Sequence, residues 1–133
     1  MSFLLLFLSC KENTETMDTR TVTSDKGSYL VTYTPTPDPI PVLQDFDLEI
    51  ELQDMEGNPI FENIEVEATA DMPAHNHGMP QEPVVSFGDA SFLAEGFYFQ
   101  MSGDWEILVY VSEQLDDGTT NIEQATFEVV CCQ

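Results

Sequence analysis

From Asp45 to Gln53 the chain alternates without a fault, with Phe46, Leu48, Ile50 and Leu52 on one side and Asp45, Asp47, Glu49 and Glu51 on the other. A period of two is the side-chain repeat of extended backbone, so this stretch predicts an antiparallel strand with one face on a core and one in water. Met55-Glu56-Gly57-Asn58-Pro59 is turn sequence, and Ile64 to Ala70 alternates again, with Ile64, Val66, Ala68 and Ala70 opposite Glu65, Glu67 and Thr69. Ser28 to Thr34 is rich in β-branched and aromatic residues and is expected to stop at the series Pro35, Pro37, Pro39 and Pro41. Val84 to Phe87, Ser91 to Met101, Trp105 to Ser112 and Ile122 to Val130 supply further strands, with Gly96 marking a bulge in the second of these. No segment of useful length carries a helical period. About seven short strands over roughly 100 residues predict an all-β, immunoglobulin-like antiparallel β-sandwich, with Trp105 between its sheets.

At 133 residues the chain has room for one sizeable core. Residues 28 to 133 are expected to form the sandwich. Lys11 to Gly27 is Thr, Glu, Asp, Ser and Asn with only Met17 and Val22 apolar, and reads as a flexible acidic tether. Residues 1 to 10, Met1-Ser2-Phe3-Leu4-Leu5-Leu6-Phe7-Leu8-Ser9-Cys10, are a short apolar run ending in a small residue and a cysteine. That run resembles the end of a bacterial lipoprotein signal peptide, which implies a lipidated Cys10, a membrane anchor and a location in the cell envelope, facing the periplasm or the outside. It falls well short of the roughly 20 apolar residues of a membrane-spanning helix.

The formal charge is -22, from 25 Asp and Glu against 3 Lys and Arg. Such a surface repels phosphate backbones and anionic headgroups, which argues against nucleic acid and against electrostatic binding to a membrane. It attracts cations and basic partners, and it also keeps an exported protein soluble.

The densest chemistry lies in Asp71-Met72-Pro73-Ala74-His75-Asn76-His77-Gly78-Met79-Pro80, which holds both histidines of the chain and two of its six methionines. Imidazole and thioether are borderline and soft donors that suit copper, whereas zinc sites are built from Cys, His and carboxylate. On extended backbone, residues at i, i+2 and i+4 point the same way, so His75, His77 and Met79 are expected to converge, with Gly78 allowing a bend. Met101, just before the Ser102-Gly103-Asp104 turn, is the candidate for a further donor, and core packing beside Phe97 and Phe99 is its competing role. Met72 is read more simply as a core cap. Asp71 and Glu82 are candidates to orient an imidazole. The expected cargo is copper, with Cu(I) favoured by the thioethers.

Met72-Pro73-Ala74-His75-Asn76-His77-Gly78-Met79-Pro80, followed by Phe97-Tyr98-Phe99-Gln100-Met101-Ser102-Gly103-Asp104-Trp105-Glu106, resembles the YtkA-like (FixH-like) domain family over roughly Phe46 to Val130. The resemblance implies an immunoglobulin-like fold, export, and copper handling or delivery towards respiratory oxidases, with a copper donor or acceptor protein in the envelope as partner. Gln100 stands where the family pattern often has histidine, and an amide oxygen is a poor donor to Cu(I).

The remaining features point elsewhere or nowhere. The Asp45, Asp47, Glu49 and Glu51 row lacks the loop of a specific Ca2+ site and reads as a solvated strand face. Cys131 and Cys132 are neighbours whose Cα atoms are only about 3.8 Å apart, below the usual disulfide range, so an inert frayed terminus is expected, with a vicinal disulfide, an intermolecular pair or a thiolate Cu(I) site as alternatives. No nucleophile with an orienting base, phosphate loop or cofactor fingerprint is present, which predicts a protein that is not an enzyme. The competing readings are a copper-binding lipoprotein, an adhesion or assembly module of the envelope with no metal role, and, more distantly, a redox copper site, which would need a well-placed cysteine.

Overall fold

A computed structural model describes residues 19–132 as two antiparallel sheets packed face to face. The strands in chain order are β1 (Thr21–Thr23), β2 (Leu30–Thr36), β3 (Asp45–Gln53), β4 (Ile64–Met72), β5 (His77–Gly78), β6 (Val84–Gly88), β7 (Ser91–Tyr98), β8 (Gly103–Gln114) and β9 (Thr120–Cys131). One sheet has the order β1-β2-β3-β7-β6 and the other β5-β4-β8-β9. Without the two shortest strands, β1 and β5, these orders are the A-B-E-D and C-F-G sheets of an immunoglobulin-like sandwich. The seven longer strands fall on the seven strand stretches read from the sequence, β7 covering Ser91–Tyr98 of the expected Ser91 to Met101, because apolar residues on one side of a strand have one place to be buried in a sandwich. Phe46, Leu48 and Ile50 of β3 lie against Ile107, Val109 and Val111 of β8 in a single buried core.

Three sequence expectations change. Thr21–Thr23 lies in the stretch read as tether, yet it pairs with Leu30–Thr32 as β1. What fixes it is Ser24, which is buried and hydrogen-bonds Glu123 of β9 through Oγ at 2.8 Å. Second, β2 does not stop before Pro35 but runs through Thr36. The Tyr33 amide points outward to Arg20 O, so the Pro35 nitrogen, two residues on, faces the same side beyond the end of β1, where no donor is required. Third, the C-terminal cysteines are not frayed: Cys131 is buried as the last residue of β9, opposite Gly103, and is paired with Cys132. The expected signal remnant, lipidated Cys10 and residues 11–18 of the expected tether lie outside the described residues. No helix among the described residues is long and apolar enough to cross a membrane.

The bulge read at Gly96 is present. Phe46 pairs with Phe97 and Asp47 with Glu95, which leaves Gly96 unpaired at φ +97°, a conformation that favours glycine. Its amide is taken by the Asp47 carboxylate at 3.2 Å. The bulge turns the end of β7 towards the segment Phe99 to Met101 and so helps to place the chemistry at that end of the sandwich.

Candidate functional site

The His/Met loop is shaped by its own local chemistry. Pro73 opens a single 3-10 turn, Pro73–His75, since its fixed φ suits a first helical position. Asn76 ends the turn in the left-handed region at φ 54°, where asparagine is tolerated better than most residues. The expected alternation of His75, His77 and Met79 along extended backbone is therefore broken after His75. The two imidazoles nonetheless remain neighbours, with ring centroids 5.9 Å apart.

His77 is the organised member of the pair. As part of β5 it lies directly opposite Met72 of β4, and residues opposite one another share a face. Met72 is fully buried, so His77 is directed to the inner rim of the sandwich, edge-on to Trp105 with centroids 6.0 Å apart. His75, on the turn, is exposed.

The two nitrogens of His77 have different surroundings. Nδ1 lies 2.9 Å from Gly78 O and 3.4 Å from Gln100 Nε2, and the shorter contact, to a carbonyl that only accepts, favours the tautomer with the ring proton on Nδ1. Gln100 Nε2 donates to the same carbonyl at 2.8 Å. With the proton on Nδ1, Nε2 presents its lone pair to Met101 Sδ at 3.3 Å. Two lone-pair donors then face each other with no hydrogen between them. That separation suits two ligands of one first-row metal ion, with bonds of about 2.0 Å to nitrogen and about 2.3 Å to sulfur. Fixing one imidazole nitrogen through a carbonyl is the usual way a ligand histidine is oriented.

Met101 is held from both sides. It packs partly buried against the core. Its carbonyl accepts the Trp105 indole N–H at 3.0 Å, and Trp105 in turn stacks on Phe99, with centroids 4.1 Å apart and planes 5° from parallel. Core packing and contact with His77 are thus compatible roles for this side chain. Met79 is placed differently, because its sulfur accepts the Tyr98 amide at 3.4 Å. Of the two thioethers, the one distant in sequence meets the imidazole. Met72 is a core residue, as read.

The orienting candidates also part company. Asp71 pairs with Gly78, on the opposite face from His77, and Glu82 is engaged by Thr69 Oγ1 at 3.1 Å. Gly78 O and Gln100 take the orienting role instead. The Gln100 amide oxygen is buried without a hydrogen-bond partner. Gln100 is read from sequence only as a poor ligand, not as an orienting group, and Trp105 only as a core residue, although Trp105 follows Met101 by four residues across a tight turn, which is a legible hint of contact.

No family model, curated protein or solved structure matches this chain. Among the described residues, no group of three His, Cys, Asp or Glu side chains gathers to hold a metal. The donor set that the fold does assemble is imidazole plus thioether, with a second imidazole one turn away, and such a set fits a soft ion. Beside the His75 turn lies a shallow cavity of about 340 Å³, whose walls include Pro73, Ala74, Asp104, Glu106 and Glu128. The three carboxylates in its walls attract cations to this end of the sandwich.

Proposed function

We propose that this protein is a copper-binding module of the bacterial cell envelope, anchored by a lipid on Cys10, that carries Cu(I) as cargo for a donor or acceptor protein. The reading is supported chiefly by one contact, His77 Nε2 against Met101 Sδ at 3.3 Å, with Nδ1 committed to Gly78 O. His75 is the natural third donor, being exposed, adjacent and on a short turn. Met79 would join only by giving up the Tyr98 amide. A donor set of neutral imidazole and thioether binds Cu(I) without requiring thiolate, and an exposed third ligand gives a partner access for transfer. The resemblance to YtkA-like domains points the same way. No catalytic role is proposed.

Competition for Cu(I) between the full chain and a chromogenic chelator tests this. His77→Ala and Met101→Ala are each expected to weaken binding by about tenfold or more, equivalent to at least about 1.4 kcal/mol. Met79→Ala is expected to change it little. A His75→Ala/His77→Ala variant that holds Cu(I) as tightly as the wild type would sink the proposal.

A further inference from the structure

Both long seams of the sandwich are crossed by side-chain hydrogen bonds, that from Thr69 of β4 to Glu82 among them, and they differ in what lies along the strand edges. On one side, Glu123 of β9 accepts hydrogen bonds from Ser24 Oγ and the Ser28 amide, which ties β9 to the β1–β2 hairpin. On the other side, β4 and β6 are the facing edges of their sheets. There β4 pairs with β8 along Ile64 to Asp71, but its outer edge carries only β5, at Asp71 and Met72. Residues 64–70 have no strand on that edge among the described residues. A row of backbone donors and acceptors left open in this way is a template for another strand.

A groove of about 630 Å³ runs along this edge. Val66 and Ala68 line its inner side and Glu65, Glu67 and Tyr110 its outer side, while β6 contributes Phe87. Phe87 shares its side of β6 with Val85, which packs on the core, yet Phe87 is 53% exposed. It stacks with Phe61, itself exposed, at 5.7 Å, and lies against buried Phe92 at 5.1 Å. An aromatic on the inner side of its strand, left half in water, marks a place where the core lacks a cover.

We propose that the edge of β4 takes up an extended segment of a partner protein in which basic and apolar residues alternate, added as a further strand. Strand addition sets the side chains of the incoming segment alternately to the two faces. Those on the outer face lie beside Glu65 and Glu67, with Glu82 at the end of the groove. Those on the inner face lie over Phe87. The first position calls for Lys or Arg and the second for apolar residues. No basic side chain competes for those carboxylates among the described residues, because Arg20 is bound to Asp38 and Lys26 reaches Asn121. A second copy of the chain is a poor occupant. Antiparallel pairing of two β4 edges sets glutamates against glutamates, in molecules that each carry a charge of -22. The seven open residues span roughly 20 Å, enough for a strand of ordinary length.

The full chain, titrated with end-blocked peptides of about nine residues, tests the proposal by amide hydrogen exchange and fluorescence anisotropy. An alternating Lys/Val peptide is expected to slow exchange within residues 64–70 and to bind about tenfold more tightly than an alternating Glu/Val peptide. The exposed pair Glu65→Lys/Glu67→Lys is expected to reverse that preference. The proposal is overturned if the wild type shows no protection in 64–70, or if protection falls elsewhere. It is equally overturned if a Lys/Val peptide of the same composition in blocks binds as well as the alternating one, if charge reversal leaves the preference unchanged, or if sedimentation shows the chain dimerising through this edge.

Discussion

His77 and Met101 are separated by 24 residues, and what brings them together is a short series of individual contacts. Each can be traced to a residue with a reason for being there. Gly103 is the clearest. It starts β8 at φ +138°, a conformation side chains rarely adopt, and a Cβ built on it would fall 2.8 Å from Cε of the fully buried Met72, which would have to move. Gly103→Ala is expected to cost about 1 to 3 kcal/mol through backbone strain and overpacking, read as a lower midpoint in urea. An unchanged midpoint would show that Met72 moves aside freely. At this scale the sequence was legible only in part. The two histidines and the nearby thioethers declare themselves by composition. The choice of Met101 over Met79 as neighbour of His77 does not, because it depends on β5 pairing with β4 and on the Trp105 indole holding the Met101 carbonyl, both contacts made across the fold.

Strands carry the most readable information in this chain. The alternation of Asp45 to Gln53 survives intact as β3, with its four apolar residues buried. The bulge at Gly96 was legible because glycine interrupts an otherwise apolar–polar strand. β1 and β5 were not, being too short to show a period and ordered by partners rather than by pattern. The junction of β1 with β9 makes a testable case. Burial opposes ionisation of Glu123, but the hydrogen bonds from Ser28, Asn121 and Ser24 outweigh it and hold the carboxyl down to about 2. A carboxyl lowered on folding from its ordinary value near 4.5 stabilises the fold above that value and ceases to do so as the pH falls to about 2. The contribution is on the order of 3 kcal/mol. In denaturant melts between about pH 6 and pH 2, Glu123→Gln is expected to be less stable than wild type at the upper end and to converge on it at the lower. Parallel curves over that range would mean that the carboxylate is not what joins β1–β2 to β9.

As a whole molecule, the protein is a sandwich whose candidate copper site lies at one end and whose proposed docking edge runs along one side. The aromatic stack of Phe46, Phe97, Phe99 and Trp105 stiffens the end that carries His77 and Met101. The open edge of β4 continues directly into the segment that pairs with β5, so the groove along β4 and the His/Met loop adjoin. A partner laid along β4 would therefore arrive beside the proposed cargo. The charge of -22 suits both readings, attracting cations at the loop and a basic segment at the edge. In the proposed site an imidazole nitrogen of His77 and the thioether sulfur of Met101 hold one copper ion. X-ray absorption at the copper edge of the Cu(I)-loaded full chain tests this most directly. The predicted result is a first shell containing both nitrogen and sulfur scatterers, the latter at about 2.3 Å, with the sulfur contribution lost in Met101→Ala and retained in Met79→Ala. A shell without sulfur in the wild type, or one unchanged by Met101→Ala, would contradict it.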